Sequence, residues 1–402
     1  MNEGPRARRR AVRRARARRR RNTGLGLTVV LLAAGGSWYL VREHADPPAA
    51  ASGRPDRGAP TAVPADTPAT GPTAAGSTAV SARPAEPPGT LTLAFAGDVH
   101  FTGRTADRLT AVPALGPLSR QLSAADFSMV NLESAITTRG TPQAKIYHFR
   151  TGPAALTALR DSGVDAVTMA NNHSVDYGPL GLADSIAAKH ASPIPVLGIG
   201  ADAAEAYRPY TATINGVRLA VLAASQIEDL TNADFRAGPG TPGIASALDR
   251  ARLLTAVRAA RAHADVVVVY LHWGVEGQSC PVADQTSIAA DLAAAGATAV
   301  VGTHAHVMLG SGMLGPAYVA YGFGNFLWYG SSPYPHSDET GVTTLTVTRA
   351  GRVAGARFSP ALVDEHGVSE PQSGAAGRRI TDRYRQLRQC AGLAPPPPPP
   401  LP

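Results

Sequence analysis

Lysine is almost absent from this chain of 402 residues, which contains 2 Lys against 36 Arg. Together with abundant Ala, this bias is typical of a high-GC coding sequence, so the Arg content alone indicates no function. A net positive charge is also missing beyond the N-terminal segment. The first 22 residues hold eleven Arg and one Glu, a net charge of +10, whereas the whole chain carries +8. The remainder is therefore slightly acidic, which argues against a nucleic-acid-binding protein.

Large apolar side chains are scarce between Glu43 and Gly89, where Ala, Pro, Thr, Gly and Ser dominate. Such a segment cannot offset its ordering entropy by packing, which excludes a core there and predicts an extended linker over residues 42–89. The run Pro395 to Pro400 predicts a short polyproline II segment within a Pro-rich tail, 394–402. Between them, residues 90–393 are expected to form one large domain or a domain with an elaborated edge.

Charged residues are also absent from Thr23 to Val41, an apolar run of 19 residues that is about long enough to cross a bilayer as a helix. The Arg-rich residues 1–22 before it predict a cytoplasmic N-terminus and a domain outside the cell membrane. Two alternatives stay open. The Arg tract could bind nucleic acid, and the run could be a cleaved signal peptide. Trp38 and Tyr39 at its far end favour an uncleaved anchor, because such rings prefer the membrane interface.

The hydrophobic pattern alternates between strand-like and helical segments. The predicted strands are Leu91 to Ala96, Phe127 to Asn131, Ala166 to Ala170, Val196 to Ile199, Val266 to Leu271 and Thr298 to Val301. The predicted helices are Pro153 to Asp161, Leu180 to Lys189, Ala245 to Ala264 and Gln285 to Ala295. This alternation predicts an α/β domain with parallel strands. Asn215-Gly216 favours a type I′ hairpin, and Ala317 to Phe358 indicates antiparallel strands, so we expect a mixed sheet or two sheets.

Residues of the kinds that bind metals follow five of the predicted strands. They are Asp98 and His100, Asn131 and Glu133, Asn171 with Asn172 and His173, His272, and His304 with His306. Open α/β sheets place their sites beyond the carboxyl ends of strands, so we expect these ends to converge on a cation site. A single buried His is as often merely hydrogen-bonded as it is a metal ligand. Placement of five of the eleven His at strand ends makes chance a poor explanation.

The same blocks resemble a known family. Asp98-x-His100, Asn172-His173, His272 and Gly302-x-His304-x-His306 resemble the ordered motifs of the calcineurin-like metallophosphoesterases. More narrowly, the CapA family, associated with poly-γ-glutamate capsule synthesis, is resembled by GDVH, NLES, ANNHSVDYG, HWGVE, VGTHAH and YGFGNF. The resemblance covers most of Leu91 to Trp328. It implies a metallophosphoesterase-like α/β sandwich with mixed sheets and a metal site at the strand ends.

Carried over residue by residue, the resemblance implies two divalent cations. One would be bound by Asp98, His100 and His306, and the other by Asn172, His272 and His304. Glu133 would bridge them where the phosphoesterases have Asp, and its extra methylene shifts the carboxylate. The mixed nitrogen and oxygen ligands suit Mn, Fe, Zn or Co without selecting among them. Two such cations would activate water and neutralise charge on a phosphoryl oxygen.

The remaining candidate residues have weaker assignments. His173 would be the acid that protonates the leaving group, oriented by Asp176, or would only hydrogen-bond its loop. Arg150 would clamp an anionic substrate or form a surface ion pair. Glu276 would orient His272 or cap a turn. Asn325 would line the pocket or take part in an ordinary turn.

Two classes of function are compatible with these residues. The first is a metal-dependent hydrolase or transferase at the cell surface, acting on a phosphorylated substrate or an anionic polymer. The second is a non-catalytic accessory subunit that handles an anionic polymer during export or wall attachment. Either would work beside a polymer synthase or export complex. The intact set of ligands favours the enzyme, because a pure scaffold would not require it.

Cysteine is nearly absent, with only Cys280 and Cys390 in the whole chain. Outside the cytoplasm an even pair commonly closes as a disulfide, and we predict that bridge in preference to two unrelated thiols. It would hold the helical pattern Ile380 to Gln389 beside the loop that follows His272.

Overall fold

The computed structural model describes residues 89–330 and 333–400. The basic segment 1–22, the predicted membrane anchor 23–41 and all of the linker except Gly89 lie outside the described residues, so these assignments stay predictions. Within the described part of the chain, every helix is too short or too polar to cross a membrane.

The strands and helices follow the chain in an alternating order. The strands are β1 (Thr90–Val99), β2 (Phe127–Leu132), β3 (Ala135–Ile136), β4 (Arg150–Thr151), β5 (Ala166–Thr168), β6 (Val196–Leu197), β7 (Ile199–Gly200), β8 (Tyr210–Ile214), β9 (Val217–Ser225), β10 (Gly243–Ile244), β11 (Val266–His272), β12 (Ala299–Thr303), β13 (Ser311–Leu314), β14 (Ala317–Ala320), β15 (Asn325–Leu327), β16 (Glu339–Thr348), β17 (Val353–Val363) and β18 (Ser369–Pro371). The α-helices are α1 (Ser119–Ser123), α2 (Ala154–Asp161), α3 (Gly178–His190), α4 (Ala203–Ala206), α5 (Leu230–Asp234), α6 (Arg250–His263), α7 (Ala283–Ala294) and α8 (Gly374–Cys390). Two 3₁₀ helices cover Gly103–Thr110 and Gly116–Leu118.

Two large sheets organise the domain. The first has the order β18-β17-β16-β1-β2-β5-β6, and β15 also pairs with β1. Its strands β1, β2, β5, β6 and β15 pair in parallel, whereas β16, β17 and β18 are antiparallel. The second has the order β13-β14-β12-β11-β9-β8, with a parallel centre and antiparallel edges. Both alternatives expected from the sequence therefore occur together, since there are two large sheets and each is mixed. Among the described residues, β3 with β4 and β7 with β10 form two further two-stranded sheets.

The core lies between these sheets and on their outer faces. Phe95 and Met129 of the first sheet and Val268 and Tyr270 of the second belong to one fully buried apolar cluster. The Tyr270 hydroxyl also donates to the Ala96 carbonyl at 2.7 Å, which joins the two layers. Further apolar clusters lie under α2 and α3 on one side and under α6 and α7 on the other. The predicted α/β sandwich class with mixed sheets is confirmed, and apolar burial on both faces of each sheet holds it together.

Local sequence signals account for several element boundaries. Asn215 and Gly216 both have positive φ, as the predicted I′ hairpin between β8 and β9 requires. The helix predicted from Ala245 begins only at Arg250. Residues 245–247 make backbone hydrogen bonds to the ends of β9 and β6, and Asp249 then caps α6 by accepting from the Arg252 N–H.

The C-terminal segment is fixed in two ways. Cys280 and Cys390 form the predicted disulfide, with their Cα atoms 5.7 Å apart, which ties the end of α8 to the loop after β11. Beyond α8, Ala394 pairs with Met313 of β13, and the Ala356 N–H donates to the Pro397 carbonyl at 3.2 Å. The first residues of the predicted tail therefore lie against the sheets.

Candidate metal centre

The carboxyl ends of parallel strands from both sheets meet at one place. In the first sheet, Asp98 at the end of β1 is in register with Asn131 of β2. In the second, His272 at the end of β11 is in register with Thr303, which immediately precedes His304. The His304 N–H donates to Asp98 Oδ2 at 3.2 Å, so the strand ends of the two layers are in direct contact.

Glu133 is the most unusual side chain of this cluster. It is fully buried, yet neither carboxylate oxygen accepts a hydrogen bond from any described residue. Two imidazoles lie close to it, with Oε1 at 3.5 Å from His272 Nε2 and 3.8 Å from His173 Nε2. Burial, and then the neighbouring Asp98, raise the pKa of Glu133 well above its usual range. A buried carboxylate without donors is costly unless a cation compensates it.

Glu133 belongs to two groups of ligand atoms. One group is Glu133, His272 and His304, and the other is Asp98, Glu133 and His306; within each, the ligand atoms lie within 4.8 Å of one another. Because Glu133 is common to both groups, it occupies the place from which a carboxylate could contact two cations. Carboxylate oxygens and imidazole nitrogens in this ratio suit a borderline transition metal or Zn²⁺.

The environment of the imidazoles favours their neutral form, which can donate a nitrogen lone pair to a metal. His272 Nε2 lies 2.8 Å from Asn172 Oδ1 and 3.1 Å from His304 Nδ1. Burial, followed by the neighbouring His residues, lowers the pKa of both His272 and His304 well below the usual range. Neutral imidazole is the form that binds metal, so these donors and the orphaned Glu133 carboxylate fit a cation.

Amides orient the remaining ligand candidates. Asn131 Nδ2 donates to Asp98 Oδ1 at 2.8 Å, and Asn171 Nδ2 donates in turn to Asn131 Oδ1 at 2.9 Å. His306 Nδ1 lies 3.0 Å from Asn325 Oδ1 and 3.5 Å from Asp98 Oδ2. Asn325 therefore lies against a candidate ligand instead of forming a simple turn. Asn131 and Asn171 were expected among the strand-end residues, but no individual role was predicted for either.

His100 lies apart from these ligand groups. Its ring stacks on Phe149 at 4.5 Å and meets Trp328 edge to face at 4.5 Å. Both ring nitrogens lie 3.3 Å from backbone N–H groups, those of Thr102 and Tyr329. Burial, and then His173, lowers the pKa of His100 well below the usual range. In this arrangement His100 is enclosed by aromatic rings and does not share the short ligand distances of Asp98.

His173 and Asp176 form a buried pair beside Glu133. His173 Nδ1 lies 2.7 Å from Asp176 Oδ2, which leaves Nε2 directed towards Glu133. Asp176 also accepts from the Phe149 N–H at 2.6 Å and forms an ion pair with Lys145. Burial lowers the pKa of His173, and the hydrogen bond to Asp176 opposes that shift. Such a pair fixes the ring orientation of an acid or base.

Lys145 was not anticipated from the sequence. Its ammonium contacts Asp176 and also donates to the Asn172 carbonyl, so it joins the His173 pair to the loop of a ligand candidate. The loop that carries it has no hydrophobic period. The one available signal was compositional, because Lys145 is one of two Lys in a chain that otherwise uses Arg.

Two sequence candidates lie at the mouth of the site. Arg150 is exposed, and its guanidinium lies over the Tyr177 ring, 4.7 Å from the centroid. Glu276 is exposed and accepts from the Tyr334 hydroxyl at 2.6 Å. Glu276 lies within ligand distance of His304 and His306, so the structure places it beside that pair and not as the partner of His272.

Comparison with known proteins gives one family match and partial relatives. The family described as "Bacterial capsule synthesis protein PGA_cap" matches residues 92–329. The "PGA biosynthesis protein CapA" of Bacillus subtilis (strain 168) is 29% identical over 245 residues, which cover 59% of this chain and 63% of that protein. A "Probable polyglutamine synthesis accessory protein" of Mycobacterium tuberculosis (strain ATCC 25618 / H37Rv) is 29% identical over 195 residues, 46% of this chain and 50% of that protein.

The chain thus spans less than two thirds of the length of these relatives. Among solved structures, it is similar to a 5′-nucleotidase precursor from Thermus thermophilus. The TM-score is 0.42 and the sequence identity 15%, over 74% of this chain and 58% of that one.

Proposed function

The chain belongs to the bacterial capsule synthesis protein family, as its motif blocks predicted, and from this premise we propose that it is a metal-dependent hydrolase or transferase. Its role would be in the synthesis of poly-γ-glutamate or a related capsule or envelope polymer, with a phosphorylated substrate or the anionic polymer itself at the site. The observation that carries the proposal is the buried Glu133 carboxylate, which has no hydrogen-bond donor among the described residues and lies among imidazoles.

Glu133, His272 and His304 would hold one divalent cation, and Asp98 and His306 would share Glu133 in holding a second. Bound cations at such a place would make a water nucleophilic near neutral pH and stabilise charge on a phosphoryl oxygen. The cation would also offset the burial of the Glu133 carboxylate. Neutral His272 and His304 would supply lone pairs without first losing a proton, because burial already favours their neutral forms.

His173 would act as the acid that protonates the leaving group. Asp176 fixes its Nδ1 side, so the ring presents Nε2 to the same space that Glu133 faces. The Lys145 ammonium holds the Asp176 carboxylate in place through their ion pair, and that carboxylate would stabilise the imidazolium. A positioned acid of this kind typically contributes about 10²- to 10⁴-fold in rate.

The test compares Glu133→Gln with His173→Gln in the full chain, using an alkyl phosphodiester, whose alkoxide leaving group must be protonated, and Mn²⁺, Zn²⁺ or Co²⁺. Glu133→Gln should lose both bound cation and turnover, because it removes the shared carboxylate. His173→Gln should keep its cations and lose about 10²-fold or more in turnover. Glu370→Gln, an exposed position on β18, serves as the control for both. Unchanged cation content in Glu133→Gln would contradict the ligand assignment.

A non-catalytic accessory role is the second candidate, and the similarity to the mycobacterial protein, which is described as an accessory protein, favours it. In that case, the wild-type chain would bind cations, the Glu133→Gln variant would not, and the wild type would hydrolyse no phosphoester with any of the three metals. Cation binding with no turnover in the wild type therefore selects the accessory role, and the His173 variant would then be without effect.

We also propose that the domain lies outside the cytoplasm, anchored through residues 23–41. The Arg-rich residues 1–22 and the exposed Cys280–Cys390 disulfide support this, because structural disulfides persist in oxidising compartments. A protease added to intact cells should degrade the domain and spare the N-terminus. Protection of the whole chain would contradict this topology.

A further inference from the structure

Several exposed large apolar side chains belong to segments that border the metal centre. Among the described residues, six such side chains are exposed, and four of them belong to segments that border the cluster. They are Ile146 (87% exposed), Tyr147 (59%), Val275 (42%) and Leu230 (38%). We call these four residues the apolar rim. Scattered exposed apolar residues are ordinary, but four in segments that border one site indicate a binding function.

Residues next to the rim residues in the sequence contact the site or lie close to it. Lys145, next to Ile146, donates to the Asn172 carbonyl, and Thr231, next to Leu230, donates to the same carbonyl at 2.8 Å. Val275 precedes Glu276, whose carboxylate is within ligand distance of His304 and His306. The rim therefore approaches the cluster from three separate segments of the chain.

The wall below the rim is aromatic. Phe149 lies 4.2 Å from the His173 ring, and Trp328 lies 4.4 Å from the His306 ring, measured between centroids. Tyr329 completes the wall against Phe149 at 5.0 Å. Burial raises the pKa of Tyr329, and the neighbouring Tyr147, Glu133 and Glu276 raise it further.

The cationic side chains near the mouth are already engaged. Arg104 donates to the carbonyls of Trp328, Gly330 and Glu365, and Lys145 pairs with Asp176. Arg150 lies on the Tyr177 ring, and Glu276 adds negative charge at the entrance. A chain of carboxylates would need several free cations along its path, and among Arg104, Lys145 and Arg150 only Arg150 is exposed.

Building on the function proposed above, we infer that the substrate is an amphipathic phosphate ester. Its phosphate would enter the metal centre, and an alkyl or aryl group on the same phosphorus would lie on the apolar rim and the aromatic wall. This selects a phosphorylated, apolar molecule over a free polyanion. Removal of the apolar group from water provides the binding energy, and the rim charge contributes little.

The test uses the full chain loaded with Mn²⁺ and a series of alkyl p-nitrophenyl phosphodiesters, from methyl to octyl, in which the leaving group is constant. The KM of the wild type should fall about twofold for each added methylene, somewhat less than complete burial would give. A phenyl ester tests the aryl group. A lower KM for either the hexyl or the phenyl ester than for the methyl ester supports the proposal. Tyr147→Ser and Ile146→Ser should flatten the dependence of KM on the length of the alkyl chain.

Val112→Ser is the matched control, because Val112 is 85% exposed and lies outside the rim segments. Binding of non-hydrolysable alkylphosphonates, followed by calorimetry, gives a readout that needs no turnover. If the wild type binds these with the same dependence on chain length but hydrolyses nothing, the proposed enzyme fails and the apolar preference stands. A KM and a phosphonate affinity that are both independent of chain length would overturn the inference, as would competition by poly-γ-glutamate stronger than by octylphosphonate.

Discussion

Removing the Cys280–Cys390 disulfide should destabilise the domain strongly while leaving the metal centre intact. The two Cys are 110 residues apart in sequence, and in the chain-entropy model a loop of that length corresponds to about 5 kcal/mol. Domains of this kind unfold with about 5–15 kcal/mol, so the loss would be a large fraction of the total. Glu133, His272 and His304 are set by strand ends, not by α8, so cation binding should not change.

The measurement is urea denaturation of the Cys280→Ser/Cys390→Ser double variant and of the oxidised wild type, followed by tryptophan fluorescence, to which the buried Trp273 and Trp328 both contribute. Both substitutions are made together so that no unpaired thiol remains. Dithiothreitol treatment of the wild type should give the same midpoint as the double variant. A loss below about 1 kcal/mol would show that the packing of Ile380 and Tyr384 holds α8 without the bridge. Weakened cation binding would contradict the independence of the centre.

Two further predictions concern stability. Gly97→Ala should lower the melting temperature by an amount equivalent to about 3 kcal/mol, because the new Cβ would lie 1.9 Å from the Gly324 carbonyl oxygen. Gly152→Ala is the control and should leave the melting temperature unchanged, because the space around Gly152 is open. Hydrogen bonds from Arg218 lower the pKa of Asp265 to about 2, so the stability that this carboxylate provides is present above its ordinary pKa of about 3.9 and is lost as the pH falls towards 2. Asp265→Asn should therefore melt below the wild type at pH 6 and together with it at pH 2, and an equal deficit at both would contradict the ion pair as the cause.

The two strands that frame the site show where reasoning from sequence succeeds and fails. The run Val266–His272 is apolar up to its last residue, so both its strand character and the place of His272 at its end follow from composition. Asp98 and His100 are two residues apart, and strict alternation would put both on one face. However, β1 ends at Val99, and its register against β2 and β15 shifts around Asp98. Beyond that irregularity, the ring of His100 turns into the aromatic wall.

Features that depend on loops were beyond the sequence for a different reason. Lys145 reaches Asp176 only because its loop folds over the entrance, and that loop has neither a helical nor a strand period. Glu276 was expected to orient His272 or to cap a turn. It follows Gly274, which has φ +94°, and its carboxylate lies within 4.8 Å of ligand atoms of His304 and His306. Proximity in sequence is a poor guide once a residue with positive φ intervenes.

The backbone around His304 and His306 explains why Glu133 gives the clearest test of the metal centre. Both His residues have positive φ, 99° and 56°, which costs side chains other than Gly of the order of 1–3 kcal/mol each. Asp98 accepts from the His304 N–H, and Asn325 donates to the His306 carbonyl at 3.3 Å, so these side chains also hold the strained backbone. Substitution of Asp98 would thus remove a ligand and release the strain together. Glu133 accepts no hydrogen bond from the described residues, so its loss would report on the cation alone.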